Sequence, residues 1–356
     1  MPENGTRFRR WLKGLEAHRL DGFLVTHPPN LRYLFNFTGS AGIACCLATE
    51  SHLIVDSRYI EQADSETRNC QSMLAEKSLE DTLKAFLSTS ARFQGHTPRI
   101  GLEAHHISYD FVLRVQSWQT NIEWVPTRNL IEEMRMIKDK GEIQLLERAF
   151  QIAQTAYQHF AERIRPGMTE AEVAGILEFE LRKAGGQGLA FETIVSSGPR
   201  TSLPHASSTD KRIESNEYVL IDFGLKYQGY CSDLTRIHLS PEAKRPAIYQ
   251  VVQEAQEKAL ALIKPGARSD QIDAAARSVI SQHGFGENFG HSTGHGLGLE
   301  VHELPVISHR RPRELQEGMV FTVEPGIYLP GQYGVRIEDA VAVTHDGCRL
   351  LSDRNL

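Results

Sequence analysis

The chain has 356 residues, 40% of them hydrophobic and 24% charged, and carries a formal net charge of −6. That length favours two domains over one core, and an acidic balance with no long basic run argues against nucleic acid as a partner. No apolar run approaches the roughly 18–20 residues of a membrane span, and MPENGTRFRRWLKG at the start holds no apolar stretch of the secretory kind.

In chain order, residues 1–128 read as a small α/β unit. LDGFLVT (20–26) is a short apolar β run, followed by the turn-former HPPN. GIACCLA (42–48) and HLIVD (52–56) predict a hairpin across TES. SRYIEQAD turns helical, and SLEDTLKAFL (78–87) places Leu79, Leu83, Phe86 and Leu87 at helical spacing. RIGLE (99–103) reads as a strand, SYDFVLRVQSW (108–118) as a helix and NIEWV (121–125) as a strand. Such alternation predicts a mostly parallel or mixed sheet with helices packed on it. His27, His52, His96, His105 and His106 are scattered here, in surface or core roles, with no catalytic constellation. Cys45, Cys46, Cys70, Cys231 and Cys348 form no CxxC pair, the pattern of reduced thiols in a cytoplasmic protein.

Residues 129–141, with the charged run IEEMRMIKDKGE, read as a linker that breaks at Gly141. A second domain follows, 142–356. Its first helix, about 142–163, carries one apolar stripe through Ile143, Leu146, Ala149, Phe150, Ala153, Ala156, Tyr157 and Phe160. Pro166-Gly167 breaks that helix, Thr169 and Glu172 form a capping box for the next, and Gly185-Gly186 ends it. IRPGMTEAEVAGIL (164–177) recurs in outline as IKPGARSDQIDAAA (263–276), the two Pro-Gly pairs 99 residues apart, each before a capped helix. YVLIDFG, ending near Asp222, recurs as MVFTVEPG, with Glu324, 102 residues on. Each is followed by a second acidic strand, holding Asp233 or Glu338. The domain therefore reads as two related halves, each giving two carboxylates to a shared centre.

Between them lies HSTGHGLGLEVH (291–302), rich in histidine and glycine. That many glycines belong where backbone must come close to something. Acids ending apolar strands are costly to bury unless paired or bound to metal. Asp222, Asp233, His295, Glu324 and Glu338 form an oxygen-rich set with one imidazole, suited to Mn²⁺, with Co²⁺ or Zn²⁺ as further candidates. Two such ions would balance the four acids, activate a water and polarise a scissile carbonyl.

IDFG…CSDLTR, TIVSSGPRTSLPHA, STGHGLGLEVHE, VFTVEPGIY and GVRIEDAV, with NLRYLFNFTGS and VDSRYIEQA upstream, resemble the pita-bread metallopeptidases over nearly the whole length. These include Xaa-Pro dipeptidases (prolidases), aminopeptidases P and methionine aminopeptidases. The resemblance implies an α+β pita-bread catalytic domain with a pseudo-twofold internal repeat, preceded by a smaller α/β creatinase-like domain. It implies Asp222 bidentate on one ion, Asp233 and Glu338 bridging, and His295 and Glu324 on the other, with Glu324 also the general base. His205 resembles a histidine that steadies the tetrahedral intermediate. His302 resembles one that contacts substrate beside the scissile bond, and His291 a wall of the proline pocket. Arg336 would orient a bridging acid, and Tyr227 and Tyr328 would line the cleft or pack. A homodimer acting on short peptides with proline second is the expected assembly and substrate.

The chain departs from the pattern in two places. A Thr-Arg-Thr triplet is here Thr235-Arg236-Ile237, keeping Thr235. The arginine that some prolidases carry shortly after EVHE is absent, and Arg310, Arg311 and Arg313 come later, expected to solvate a loop. The resulting expectation is an Xaa-Pro aminopeptidase of the aminopeptidase P type that also cuts some dipeptides, with prolidase as the alternative. Methionine aminopeptidases lack the extra domain, and creatinase-like enzymes or non-enzymatic binders of this fold lack the ligands.

Overall fold

A computed structural model of the chain describes residues 4–47, 50–89, 97–118 and 121–354. His96 lies outside these, as do residue 48, the last of the expected GIACCLA strand, and residue 49, the first of its TES connection. Two compact units divide between Arg135 and Met136.

The N-terminal unit runs α1 (Asn4–Ala17), β1 (Gly22–Val25), α2 (Pro28–Phe35), β2 (Ile43–Leu47), β3 (Ser51–Val55), α3 (Ile60–Glu66), β4 (Gln71–Leu74), α4 (Leu79–Thr89), β5 (Arg99–Glu103), α5 (Tyr109–Gln116) and β6 (Glu123–Thr127). Its six strands lie in the order β4-β3-β2-β1-β5-β6. The sheet is mixed: β2 pairs antiparallel with β1 and β3, and the other pairs are parallel. β1 is buried along its whole length, as a central strand covered on both faces must be. Leu24 packs with Leu83 and Leu87 of α4 and Phe111 and Val115 of α5. Its neighbour Phe23 points to the other face, where it meets Trp11 of α1 edge-on at 5.0 Å between ring centroids.

HPPN is not a free turn: α2 starts at Pro28, with His27 as its N-cap. Proline is well placed there, because the first helical residues have no intrahelical use for an N–H. Short α6 (Glu132–Met136) occupies the stretch expected to link the domains. The break expected at Gly141 is also absent. α7 (Lys140–Ala161) passes through it, started by a capping box in which Asp139 accepts from the Glu142 N–H and Glu142 from the Asp139 N–H.

In the C-terminal unit, α8 (Glu170–Lys183), α9 (Ile248–Leu260) and α10 (Ser269–Gln282) join α7 around two main sheets. The strands are β7 (Gly188–Leu189), β8 (Ile194–Ser197), β9 (Tyr218–Phe223), β10 (Leu225–Tyr227), β11 (Tyr230–Cys231), β12 (Leu234–Leu239), β13 (Gly294–Gly296), β14 (Glu303–Ile307), β15 (Val320–Val323), β16 (Gly326–Leu329), β17 (Tyr333–Arg336), β18 (Asp339–Val343) and β19 (Cys348–Leu350). One main sheet is β12-β9-β8 and the other β14-β13-β15-β18-β19. A bridge between Thr235 and Glu338 connects them.

The internal repeat is visible in backbone bonds. Gly167 and Gly266 both have positive φ, 89° and 83°, the turn conformation glycine adopts without strain. The Gly167 N–H donates to Ile213 O at 2.8 Å, and the Gly266 N–H to Leu315 O at 2.9 Å. One turn on, Glu170 donates to Lys211 O at 3.0 Å and Ser269 to Arg313 O at 2.8 Å. The halves differ at the helix start. Thr169 caps α8 with a full capping box, whereas Arg268 gives α10 no side-chain cap, contrary to the expected second capped helix. No helix among the described residues is long and apolar enough to cross a membrane.

Candidate metal centre

β9 and β12 pair antiparallel, as do β15 and β18, and each pair brings two acids to one end. Asp222 is the penultimate residue of β9, and Glu324 directly follows β15. Asp233 and Glu338 are not inside strands as expected. Each lies one residue before its strand, β12 or β18, where irregular backbone frees the side chain from strict alternation. All four acids line a single cavity of about 590 Å³ within this unit, together with His205, His291, His295, His302 and Arg336. The fold thus gathers the five expected ligands with His205, His291, His302 and Arg336 around one cavity. Phe191, Ile194, Pro204, Ala206, Val301 and Val306 supply its apolar surface.

His295 sits in the middle of β13, between two glycines. A Cβ on Gly294 would stand 1.8 Å from Thr322 O, and one on Gly296 2.2 Å from Leu304 O. The close approach foreseen for these glycines is therefore to the backbone of the two flanking strands, β15 and β14. A register shift between His295 and Gly296 kinks the strand at the site. The His295 Nδ1–H donates to Gly296 O at 3.1 Å, which leaves Nε2 as the free lone pair. That atom lies 3.3 Å from Glu324 Oε1 and 3.6 Å from Asp233 Oδ2. Ligand atoms of Asp233, His295 and Glu338 fall within 4.8 Å of one another.

Around the acids is a hydrogen-bonded frame. Thr235 Oγ1 donates to Glu338 Oε2 at 2.7 Å and accepts from Arg336 Nε at 3.0 Å. Arg336 Nη2 donates to Asp222 Oδ2 at 2.5 Å, and Nη1 to Tyr328 OH and Pro204 O at 2.9 and 3.1 Å. With every nitrogen engaged and 3% exposure, Arg336 orients the acids. Tyr328 OH lies 3.0 Å from His291 Nε2, so the tyrosine packs behind His291 and does not line the cavity. Thr322 Oγ1 donates to Glu324 Oε1 at 3.1 Å and accepts from the His295 N–H. Beneath, Arg236 donates to Glu338 O at 2.6 Å. The backbone contacts of Arg336 and Arg236 are non-local and leave no mark in the sequence, whereas Thr235 and Thr322 share short segments with the acids.

Asp222 Oδ1 and Glu338 Oε1 are buried with no hydrogen-bond partner among the described residues. Burial, and then repulsion from the neighbouring acids, pushes Asp233 and Glu338 well above the usual carboxylate range. Desolvation holds His295 below the ordinary imidazole value, keeping it neutral and able to ligate. Four clustered acids, two orphaned oxygens and one aimed imidazole lone pair fit a pair of hard or borderline divalent cations.

His205 and His302 are exposed to the cavity, and the His302 ring stands against His295 at 4.2 Å between centroids. Cys231 is buried and its thiol pushed up to about 12 by burial, which makes it inert. Arg310 and Arg311 are exposed, Arg313 is partly so, and none of the three lines the cavity. Tyr227 is half-buried outside it.

The model of metallopeptidase family M24 matches residues 144–345, and that of the creatinase/prolidase N-terminal domain matches residues 7–137. An Xaa-Pro dipeptidase from Pyrococcus horikoshii is 35% identical over 351 residues, 97% of this chain and 96% of its own. Among solved structures, an Xaa-Pro dipeptidase from Bacillus anthracis has a TM-score of 0.92 at 37% identity, covering 99% of this chain and 98% of its own. An X-Pro aminopeptidase from Thermotoga maritima has a TM-score of 0.86 at 38% identity, covering 96% and 97%.

Proposed function

The chain belongs to metallopeptidase family M24, its pita-bread catalytic domain preceded by a creatinase-like one, and from that premise we propose that it hydrolyses Xaa-Pro dipeptides. The carrying observation is the convergence of four acids and His295 Nε2, two carboxylate oxygens orphaned, on an apolar-walled cavity. The dipeptidase reading, preferred to the aminopeptidase P activity expected from sequence, is supported by the names of the Pyrococcus horikoshii and Bacillus anthracis relatives. Asp222, Asp233, His295, Glu324 and Glu338 would hold two ions, of which manganese suits this thiol-free, oxygen-rich set best. When bound, the ions supply Lewis-acid charge to water and to the scissile carbonyl.

The chain's own residues do the rest. Glu324, fixed through Oε1 by Thr322, accepts the proton of the attacking water. His205 and His302 offer ring N–H groups toward the charge that develops on the carbonyl oxygen. His291, steadied by Tyr328, and the apolar wall receive the proline ring. A homodimer in the cytoplasm is the setting we propose, on the family resemblance.

A second reading, Xaa-Pro aminopeptidase, is favoured by one observation. Arg336 is committed to the acids, and Arg310, Arg311 and Arg313 lie outside the cavity, so no free arginine among the described residues lines it to clamp a dipeptide's carboxylate. Hydrolysis of an Xaa-Pro dipeptide, an Xaa-Pro-Xaa tripeptide and a Met-Ala-Xaa control, each with Mn²⁺ and with chelator, separates the two. The dipeptide should be cut fastest, and only with metal. Cleavage of the tripeptide alone would establish the aminopeptidase, and no metal-dependent cleavage of either proline substrate would end both readings.

A further inference from the structure

One charged wall residue of the cavity is unaccounted for by the metal centre. Glu192 is exposed and lines the cavity beside Phe191 and Ile194. Among the described residues, the acids of the centre hold their places in the ligand set and Arg336 is fully engaged. Glu192 alone of the charged wall has no hydrogen bond or ion pair among the described residues. A carboxylate aimed into a binding cavity without a partner leaves it selective for cations.

Register fixes where that selectivity acts. β8 pairs antiparallel with β9, and Ile194 stands directly opposite Asp222. Glu192 lies two residues before Ile194, just outside β8, and two residues of extended chain at ~3.3 Å each put it up to about 7 Å from the Asp222 register. A substrate's α-amine cannot span that offset. It is bonded to the carbon next to the scissile carbonyl and stays at the acids. A long side chain on the residue before proline can span it. The four-carbon stem of lysine would lie along the apolar Ile194 and Phe191 while its ammonium meets the carboxylate.

We propose that Glu192 is a specificity residue that selects a basic side chain, lysine or arginine, immediately before proline. The proposal rests on the Xaa-Pro hydrolase reading above. Its chemistry is ion pairing at a solvent-accessible wall, so the effect is a preference and not a requirement.

The test uses the metal-loaded full-length enzyme and compares kcat/KM for Lys-Pro with norleucine-Pro, the uncharged analogue of similar length. Glu-Pro and the alanine-extended tripeptides complete the series. In the wild type the Lys-to-norleucine ratio should exceed one by about fivefold, the value of an exposed ion pair of ~1 kcal/mol. In Glu192→Gln the ratio should collapse toward one, and in Glu192→Lys it should fall below one while Glu-Pro becomes the preferred substrate. Added salt should erode the wild-type preference. Equal losses on Lys-Pro and norleucine-Pro in Glu192→Gln would overturn the proposal, because they would mean binding of the common α-amine or a structural role. A wild-type ratio of one overturns it too. If the wild type cuts none of the proline substrates, it is the underlying hydrolase reading that has failed.

Discussion

Thr235 stands between groups of opposite charge that must both be held still. Its hydroxyl gives its one proton to Glu338 and takes a bond from Arg336, which in turn holds Asp222. One small side chain thus registers an acid of the second half against one of the first. Thr235→Val keeps the shape and removes both bonds. Partners of this kind are worth about 10–100-fold in metal affinity or activity, so that loss is expected in a metal titration of the variant, with Thr235→Ser near wild type. An unchanged metal affinity in Thr235→Val would mean the acids are positioned by backbone alone. Removing an acid is more severe. Glu338→Ala should lose bound metal and nearly all hydrolysis, read by metal analysis alongside turnover. Full metal content with wild-type rate would exclude Glu338 as a ligand. The acids were legible in the sequence because an ionised side chain at the end of an apolar strand has few tolerable fates. The sequence does not decide between cleft and packing for Tyr328, because its tie to Arg336 and His291 exists only in the folded chain, where β16 and β17 pair.

At the scale of elements, the glycines around His295 set how close strands can come. β13 has three residues, and two are glycine because the backbones of β15 and β14 occupy the space of a Cβ. Gly294→Ala must push β13 away from Thr322, whose hydroxyl holds both the His295 N–H and Glu324. Overpacking of this kind costs about 1–3 kcal/mol, and here it should also weaken metal binding. Gly347→Ala, with nothing within 4 Å of its Cβ, should change stability by less than about 0.5 kcal/mol. Denaturant unfolding of both, with metal titration of the first, checks the pair. Equal stabilities would show that β13 has slack. Elements with strong periodicity or β-branched runs were readable, and so was the repeat, because both Pro-Gly turns need a positive-φ residue. Elements whose signals point two ways are not legible in the sequence. Pro28 and Pro29 suit a turn as well as a helix start. In α1, Trp11 and Leu15 face the core amid a basic stretch that looks solvated. Gly141 weakens a helix without ending it when a capping box and 22 residues outweigh it.

For the whole molecule, the acids make stability and function compete. Folding gathers Asp233 and Glu338 into a buried site where their protons are held well above the usual range. An unfolded chain releases those protons at about pH 4. From that pH upward the folded, metal-free state therefore binds more protons than the unfolded one, and these acids subtract stability as pH rises. Divalent ions replace the protons, so loading releases them and strengthens with pH. His295, held below the ordinary imidazole value, adds to the same trend, since it too must be neutral to ligate. The gap in stability between manganese-loaded and chelator-treated enzyme should consequently widen from pH 5 to pH 8. At a free metal concentration a hundredfold above Kd it should reach about 2.7 kcal/mol. Thermal unfolding of both forms across that range reads the gap directly. A gap that stayed constant would mean that the acids bind no protons in the metal-free fold, and that they are not packed together as described.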